Sequence, residues 1–209
     1  MAILNEISEF VQKGRMPKVK ELVNQALAEN LEPKAILEDG LLSGMSIIGE
    51  KFKNNEVFVP GVLVAARAMK AGVAILRPYL VKEGVEAKGT IVIGTVRGDL
   101  HDIGKNLVGM MMEGRGLKVV DLGTDVSPEA FVAAAKENNA GIICCSALLT
   151  TTMGEMKNVV DLVKAENLPV KVMIGGATVT DSCRESIGAD IYTPDAATAA
   201  DVALQQFVA

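Results

Sequence analysis

The chain has no tryptophan, two tyrosines and five phenylalanines in 209 residues, so its interior must be built from aliphatic side chains. Lysine and arginine number 21 against 26 aspartates and glutamates, a net charge of −5. There is no basic block of the kind that nucleic acid or an anionic membrane surface needs. No stretch approaches about 18 unbroken apolar residues, so no transmembrane helix is expected. The opening MAILNEISEF lacks a basic segment followed by a long apolar one, so no secretory signal is expected. Three cysteines, two of them adjacent (Cys144 and Cys145), make neither a disulfide framework nor a zinc-spaced set. A reducing cytoplasm is the expected compartment. Histidine is nearly absent as well: His101 is the only one. One imidazole without a C-x-x-C pair excludes an ordinary zinc shell. The chain also lacks the G-x-S-x-G elbow of serine hydrolases and the G-x-G-x-x-G dinucleotide loop.

Aliphatic residues make up most of what is present, and their spacing changes near residue 85. Before it the period is helical. In PKVKELVNQALAEN, Val19, Leu22, Val23, Ala26 and Leu27 fall on one face. PKAILEDGLLSGMSIIGEKFKN and VPGVLVAARAMKAGVAILRPYL are two further helical patterns, with Pro33 and Pro60 suited to first turns. With a short helix over about residues 2–13, they predict a four-helix bundle over residues 1–85. VKEGVEAKG is polar and glycine-bearing and reads as a linker. From 88 to 209, strand-like runs (TIVIGTV, KVVDLG, GIICCSA, VKVMIGG, DIYTP) alternate with helical ones starting near Ile103, Pro128, Met153, Thr180 and Ala196. Such alternation predicts a flavodoxin-like, Rossmann-type α/β domain with a five-stranded parallel sheet.

Ligands bind such sheets outside the carboxyl ends of the strands. Three unusual segments fall there: GDLHDIG after the first strand, SALLTTTMG after the third and GGATVT after the fourth. In a flavodoxin-like order these strands are neighbours, so the three loops line one crevice. Asp99, two residues before His101, is close enough to accept a hydrogen bond from one ring nitrogen, which leaves the other free to bind a metal. Gly104 allows close approach to the next helix, and Gly175–Gly176 remove two side chains at a strand end. Ser146 and Thr150 are hydroxyls in an apolar segment, suited to a polar ligand tail. Each feature alone has a plain structural explanation: a hydrogen-bonded histidine, a turn, a helix cap. Their conjunction on one rim points to a ligand. A metal that brings most of its own ligands, such as a corrin-bound cobalt, needs only one imidazole from the protein.

GDLHDIGKN, SALLT and IGGATVT together resemble the cobalamin-binding motif D-x-H-x-x-G … S-x-L … G-G. The resemblance is to the corrinoid proteins of three-component methyltransferase systems and to the cobalamin module of methionine synthase. GEKFKNNEVFVPGVLVAARAMKAGVAILRPYL is similar to the family's helical cap, so the resemblance covers nearly the whole chain. It implies His101 as the lower axial cobalt ligand, replacing the cofactor's own dimethylbenzimidazole, with Asp99 as its hydrogen-bond partner. It implies cofactor-binding positions at Asp102, Ile103, Gly104, Ser146, Leu148, Thr150, Gly175 and Gly176. Thr152 stands where the methionine synthase pattern has serine, and would extend the same network. Phe52 and Val59 match cap residues over the methyl-bearing face, though valine is smaller than the usual leucine.

The resemblance further implies a methyl carrier that cycles between cob(I)alamin and methylcobalamin. Such a carrier serves a donor-specific methyltransferase (methylamine, betaine, methanol or methyl-ether type). It also serves an acceptor methyltransferase using tetrahydrofolate or a thiol coenzyme, and a reductive activase. A cobalamin sensor module and an adenosylcobalamin mutase subunit are the alternatives; neither a nucleic acid nor a membrane is an expected partner.

Overall fold

Residues 2–208 are described by a computed structural model. Four helical segments occupy the first 82 residues: α1 (Ala2–Gln12), α2 (Met16–Ala28), a long third segment and α5 (Val59–Lys82). The third begins as α3 (Pro33–Ala35), passes through a π-helical stretch, Ile36–Leu42, and continues as α4 (Ser43–Lys53). Prolines sit at the first turns of α2, α3 and α5, where a missing N–H costs no helical bond. The π stretch was not foreseen, because a widened turn leaves the apolar spacing almost unchanged. Within it and just beyond, Gly40 and Gly44 bring the third segment against α1. A Cβ on Gly44 would lie 2.7 Å from the Ser8 carbonyl oxygen and 2.9 Å from Val11 Cβ.

By length and composition α5 is apolar enough to cross a membrane. Arg67, Lys70 and Arg77 interrupt it, so it contains no unbroken apolar run of that length. In the fold, α5 packs against α1, α2 and α4 and buries Val62, Ala65, Ala66, Ala68, Met69, Leu76 and Leu80.

The second part is a sheet of five parallel strands in the order β2-β1-β3-β4-β5. The strands are β1 (Thr90–Thr95), β2 (Lys118–Asp121), β3 (Ile142–Ser146), β4 (Lys171–Gly175) and β5 (Ile191–Tyr192). Helices α6 (Ile103–Gly114), α7 (Pro128–Glu137), α8 (Met153–Ala165), α9 (Asp181–Ile187) and α10 (Ala196–Val208) alternate with them. β1 and β3 are near-continuous apolar runs, as strands covered on both faces require. Phe131 of α7 is fully buried, and Gly94 of β1 makes room for its ring: a Cβ there would lie 2.8 Å from Phe131 Cζ. Cys144 and Cys145 are buried in β3, where desolvation pushes the Cys144 thiol up to about 12 and raises Cys145 too. They are core side chains.

The chain divides into two compact units, Met1–Ala87 with Gly114–Gly116, and Lys88–Glu113 with Leu117–Ala209.

The close approach at Gly44 yields a prediction opposite to helix propensity. Gly→Ala inside a helix ordinarily stabilises by about 1 kcal/mol. Gly44→Ala, meeting backbone on α1, is expected to destabilise the protein by about 1–3 kcal/mol in denaturant unfolding.

Candidate functional site

The strand order makes β1, β3 and β4 consecutive neighbours, with Thr95, Ser146 and Gly175 in register at their carboxyl ends. Two of the three loops that leave these residues meet around one carboxylate. Asp99 is fully buried and its two oxygens divide the work. Oδ1 accepts from the His101 backbone N–H at 3.0 Å and lies 2.7 Å from His101 Nδ1. Oδ2 accepts from the amides of Leu148 (2.8 Å) and Leu149 (3.2 Å) in the loop after β3. The Thr152 hydroxyl is 2.9 Å from Oδ2 and also 2.9 Å from the Leu149 carbonyl, so its single proton serves one of them at a time.

Burial alone would raise the pKa of Asp99. The Leu148 and His101 amides, the His101 ring and the Leu149 amide outweigh it and hold the carboxyl well below the usual carboxylate range. An ionised carboxylate only accepts, so Nδ1 must carry the proton that faces it. In the neutral ring Nε2 is then left with its lone pair. Nε2 has no hydrogen-bond partner among the described residues, and the side chain is 52% exposed. A buried anion thus fixes the tautomer and the tilt of an exposed base, the arrangement that prepares an imidazole to bind a metal.

Thr152 shows what this arrangement displaces. It precedes α8 with Glu155 three residues on, the spacing of a helix capping box. Its hydroxyl makes no cap bond and turns to Asp99 instead.

The backbone of the histidine loop is held from its other side. Thr95, fully buried at the end of β1, donates its hydroxyl proton to the His101 carbonyl at 2.8 Å. Asp125 accepts from the Gly98 amide at 2.7 Å, and its own amide donates to the Asp99 carbonyl at 3.0 Å. The third loop joins through Thr178, whose hydroxyl donates to the Leu148 carbonyl at 2.9 Å.

The two glycines after β4 separate into different roles. Gly176 has φ +148°, and a Cβ there would fall 1.8 Å from the Ala147 carbonyl oxygen, so the fold itself demands glycine. Gly175 and Gly104 are different: a Cβ at either would meet nothing within 4 Å. They leave room. Ser146 is half-buried and Thr150 exposed, and neither hydroxyl is engaged among the described residues. Asp102 accepts from the Asn106 side chain at 3.0 Å, and Ile103 opens α6. Phe52, half-buried in α4, and Val59, first residue of α5, belong to the helical unit.

Sequence reasoning passed over several participants. Leu100 beside His101 in the chain, Ile103 at the start of α6 and Leu149 in the loop after β3 are 73%, 75% and 42% exposed, apolar side chains suited to a flat apolar partner. Only Ile103 of the three was anticipated. Thr95, Asp125 and Thr178 act through backbone contacts that no side-chain pattern encodes.

An imidazole with one nitrogen locked and the other presented, beside two glycine-made openings, could hold a metal that a large organic cofactor brings with it. Residues 89–204 match the B12 binding domain, and residues 3–77 match a second B12 binding domain model. A corrinoid protein of Desulfitobacterium hafniense is 42% identical over 208 residues, covering 97% of this chain and 96% of that protein. A dimethylamine corrinoid protein of Methanosarcina barkeri is 43% identical over 198 residues, covering 93% and 92%. The methanol:cobalamin methyltransferase complex of Methanosarcina barkeri contains a chain that superposes with a TM-score of 0.90 at 28% identity, covering 99% of this chain and 80% of that one. The chain belongs to the family of B12-binding corrinoid proteins, and its cofactor is cobalamin.

The depressed pKa of Asp99 links stability to pH with a definite sign. Its contribution is complete above the ordinary carboxylate range and fades as pH falls below it. Asp99→Asn is expected to be less stable than wild type near neutrality by about 1–3 kcal/mol. That deficit should narrow on acidification below the carboxylate range, as measured by denaturant unfolding of the cofactor-free proteins across pH.

Proposed function

We propose that this chain is a methyl-carrying corrinoid subunit in which His101 would hold the cobalt of cobalamin. The observation that carries this reading is the imidazole whose Nδ1 is fixed by an ionised, buried Asp99 and whose Nε2 stands exposed. The openings at Gly104 and Gly175 and the exposed apolar side chains of Leu100, Ile103 and Leu149 fit a corrin and its nucleotide tail. When bound, cobalamin supplies a cobalt centre able to accept a methyl group and hand it on; the protein supplies binding, orientation and electrostatics.

The residues divide those tasks. His101 presents the ligating nitrogen. Asp99 keeps it in the correct tautomer and, as an anion, makes the imidazole a stronger donor. Thr152 extends the same network from the other oxygen of Asp99. Ser146 and Thr150 offer unengaged hydroxyls to the polar tail, and Gly104 and Gly175 give it passage. Phe52 and Val59 are proposed contacts of the helical cap.

Two of the named relatives are a dimethylamine corrinoid protein and a chain of a methanol:cobalamin methyltransferase complex, and a donor of that class suits this chain. Its partners would be a donor-specific methyltransferase, an acceptor methyltransferase using tetrahydrofolate or a thiol coenzyme, and a reductive activase. Its three free thiols suit a reducing cytoplasm.

His101→Ala tests the ligand role. Cobalamin affinity should fall less than about tenfold, roughly 1.4 kcal/mol, because the tail keeps its site. The imidazole-ligated visible spectrum should vanish. An unchanged spectrum would remove His101 as ligand.

A further inference from the structure

Lys105 is buried, with its side chain only 2% exposed, in the first turn of α6. Both conditions oppose a cation. Desolvation disfavours the ammonium, and the first turn of a helix is the positive end of its dipole. Lys105 lies seven residues before the fully buried Met112, on the face where a packing residue would be expected. Its compensation is a single carboxylate. Nζ lies 2.6 Å from both oxygens of Asp121, the last residue of β2. Asp121 Oδ1 also accepts from the Gly123 amide at 2.9 Å.

The contact belongs to a closed circuit. The Gly123 carbonyl accepts from the Thr95 amide at 2.9 Å, and the Thr95 hydroxyl donates to the His101 carbonyl at 2.8 Å. The chain from His101 to Lys105 is therefore pinned at its first residue through Thr95 and at its last through Asp121. Both tethers arrive at the turn that leaves β2. Neither involves Asp99, which holds the imidazole ring and the loop after β3.

From this circuit we infer that the Lys105–Asp121 ion pair is a positioning clamp for His101. It fixes the backbone that presents the imidazole before any cofactor arrives, so that ligation does not have to order the loop. Lys105 touches neither the ring nor its carboxylate and acts only through the backbone between residues 101 and 105. The inference rests on the proposed role of His101.

The test has an arm without cofactor and an arm with it. In the full-length, cobalamin-free protein, amide hydrogen exchange of residues 98–105 is compared among wild type, Lys105→Met, Asp121→Asn and Lys105→Arg. Both charge-removing variants should exchange about tenfold faster in this segment alone, with β3, β4 and the helical unit unchanged, and Lys105→Arg should restore protection. In the cobalamin-loaded cobalt(II) protein, Lys105→Met should show a mixture of centres with and without imidazole nitrogen coupling, where wild type shows one. Unchanged exchange and an unchanged spectrum would overturn the clamp. So would faster exchange spread through the whole α/β unit, which would make the pair a general stabiliser. If wild type itself showed no imidazole coupling, the ligand assignment would fail, and the exchange comparison would still decide whether the pair clamps the loop.

Discussion

The carboxylate of Asp99 is the constraint on which the site depends. It is fully buried, it stays ionised, and all its neighbours are donors. An unpaired charge at that position would be prohibitively unfavourable, so each donor is a structural requirement as much as a functional one. One oxygen organises the histidine loop and the other gathers the loop after β3. Removing any donor therefore loosens its own loop and leaves the buried charge less compensated. The imidazole is the sole donor in this set that also faces outward, and that asymmetry turns a folding constraint into a binding site.

The sheet order makes this gathering possible. Parallel strands deliver their carboxyl ends to one side, and the sequence β2-β1-β3-β4-β5 sets the histidine loop beside the Leu148 loop and that beside the Gly176 turn. The close packing of Gly176 on the Ala147 carbonyl fixes the third loop, while Thr178 ties it to the second. The openings at Gly175 and Gly104 then remain as space that no side chain of the fold needs.

Much of this was legible in the sequence, for physical reasons that differ by element. The central strands were visible because buried parallel strands are continuous apolar runs bounded by turns, as in TIVIGTV and GIICCSA. Asp99 and His101 were visible because a two-residue spacing on a loop after a strand permits one hydrogen bond and little else. The π-helical stretch at Ile36–Leu42 was not, since it preserves the burial pattern. The glycine pair looked uniform, yet Gly176 answers to backbone geometry and Gly175 to open space, a difference only coordinates reveal. Lys105 left a faint signal as a lysine on a buried helical face, but its partner on β2 lies 16 residues away and follows from the pairing of strands.

The single histidine makes the central claim unusually direct to test. Growth on nitrogen-15 histidine labels one imidazole in the entire chain. The cobalamin-loaded protein, reduced to the cobalt(II) form, is then compared with unlabelled protein by electron paramagnetic resonance. The axial nitrogen splitting should change from the nitrogen-14 to the nitrogen-15 pattern, which only ligation by His101 can produce. A splitting that ignores the label would mean that cobalt is held by its own base or by no imidazole, and would contradict the assignment of His101 as the ligand that Asp99 holds in place.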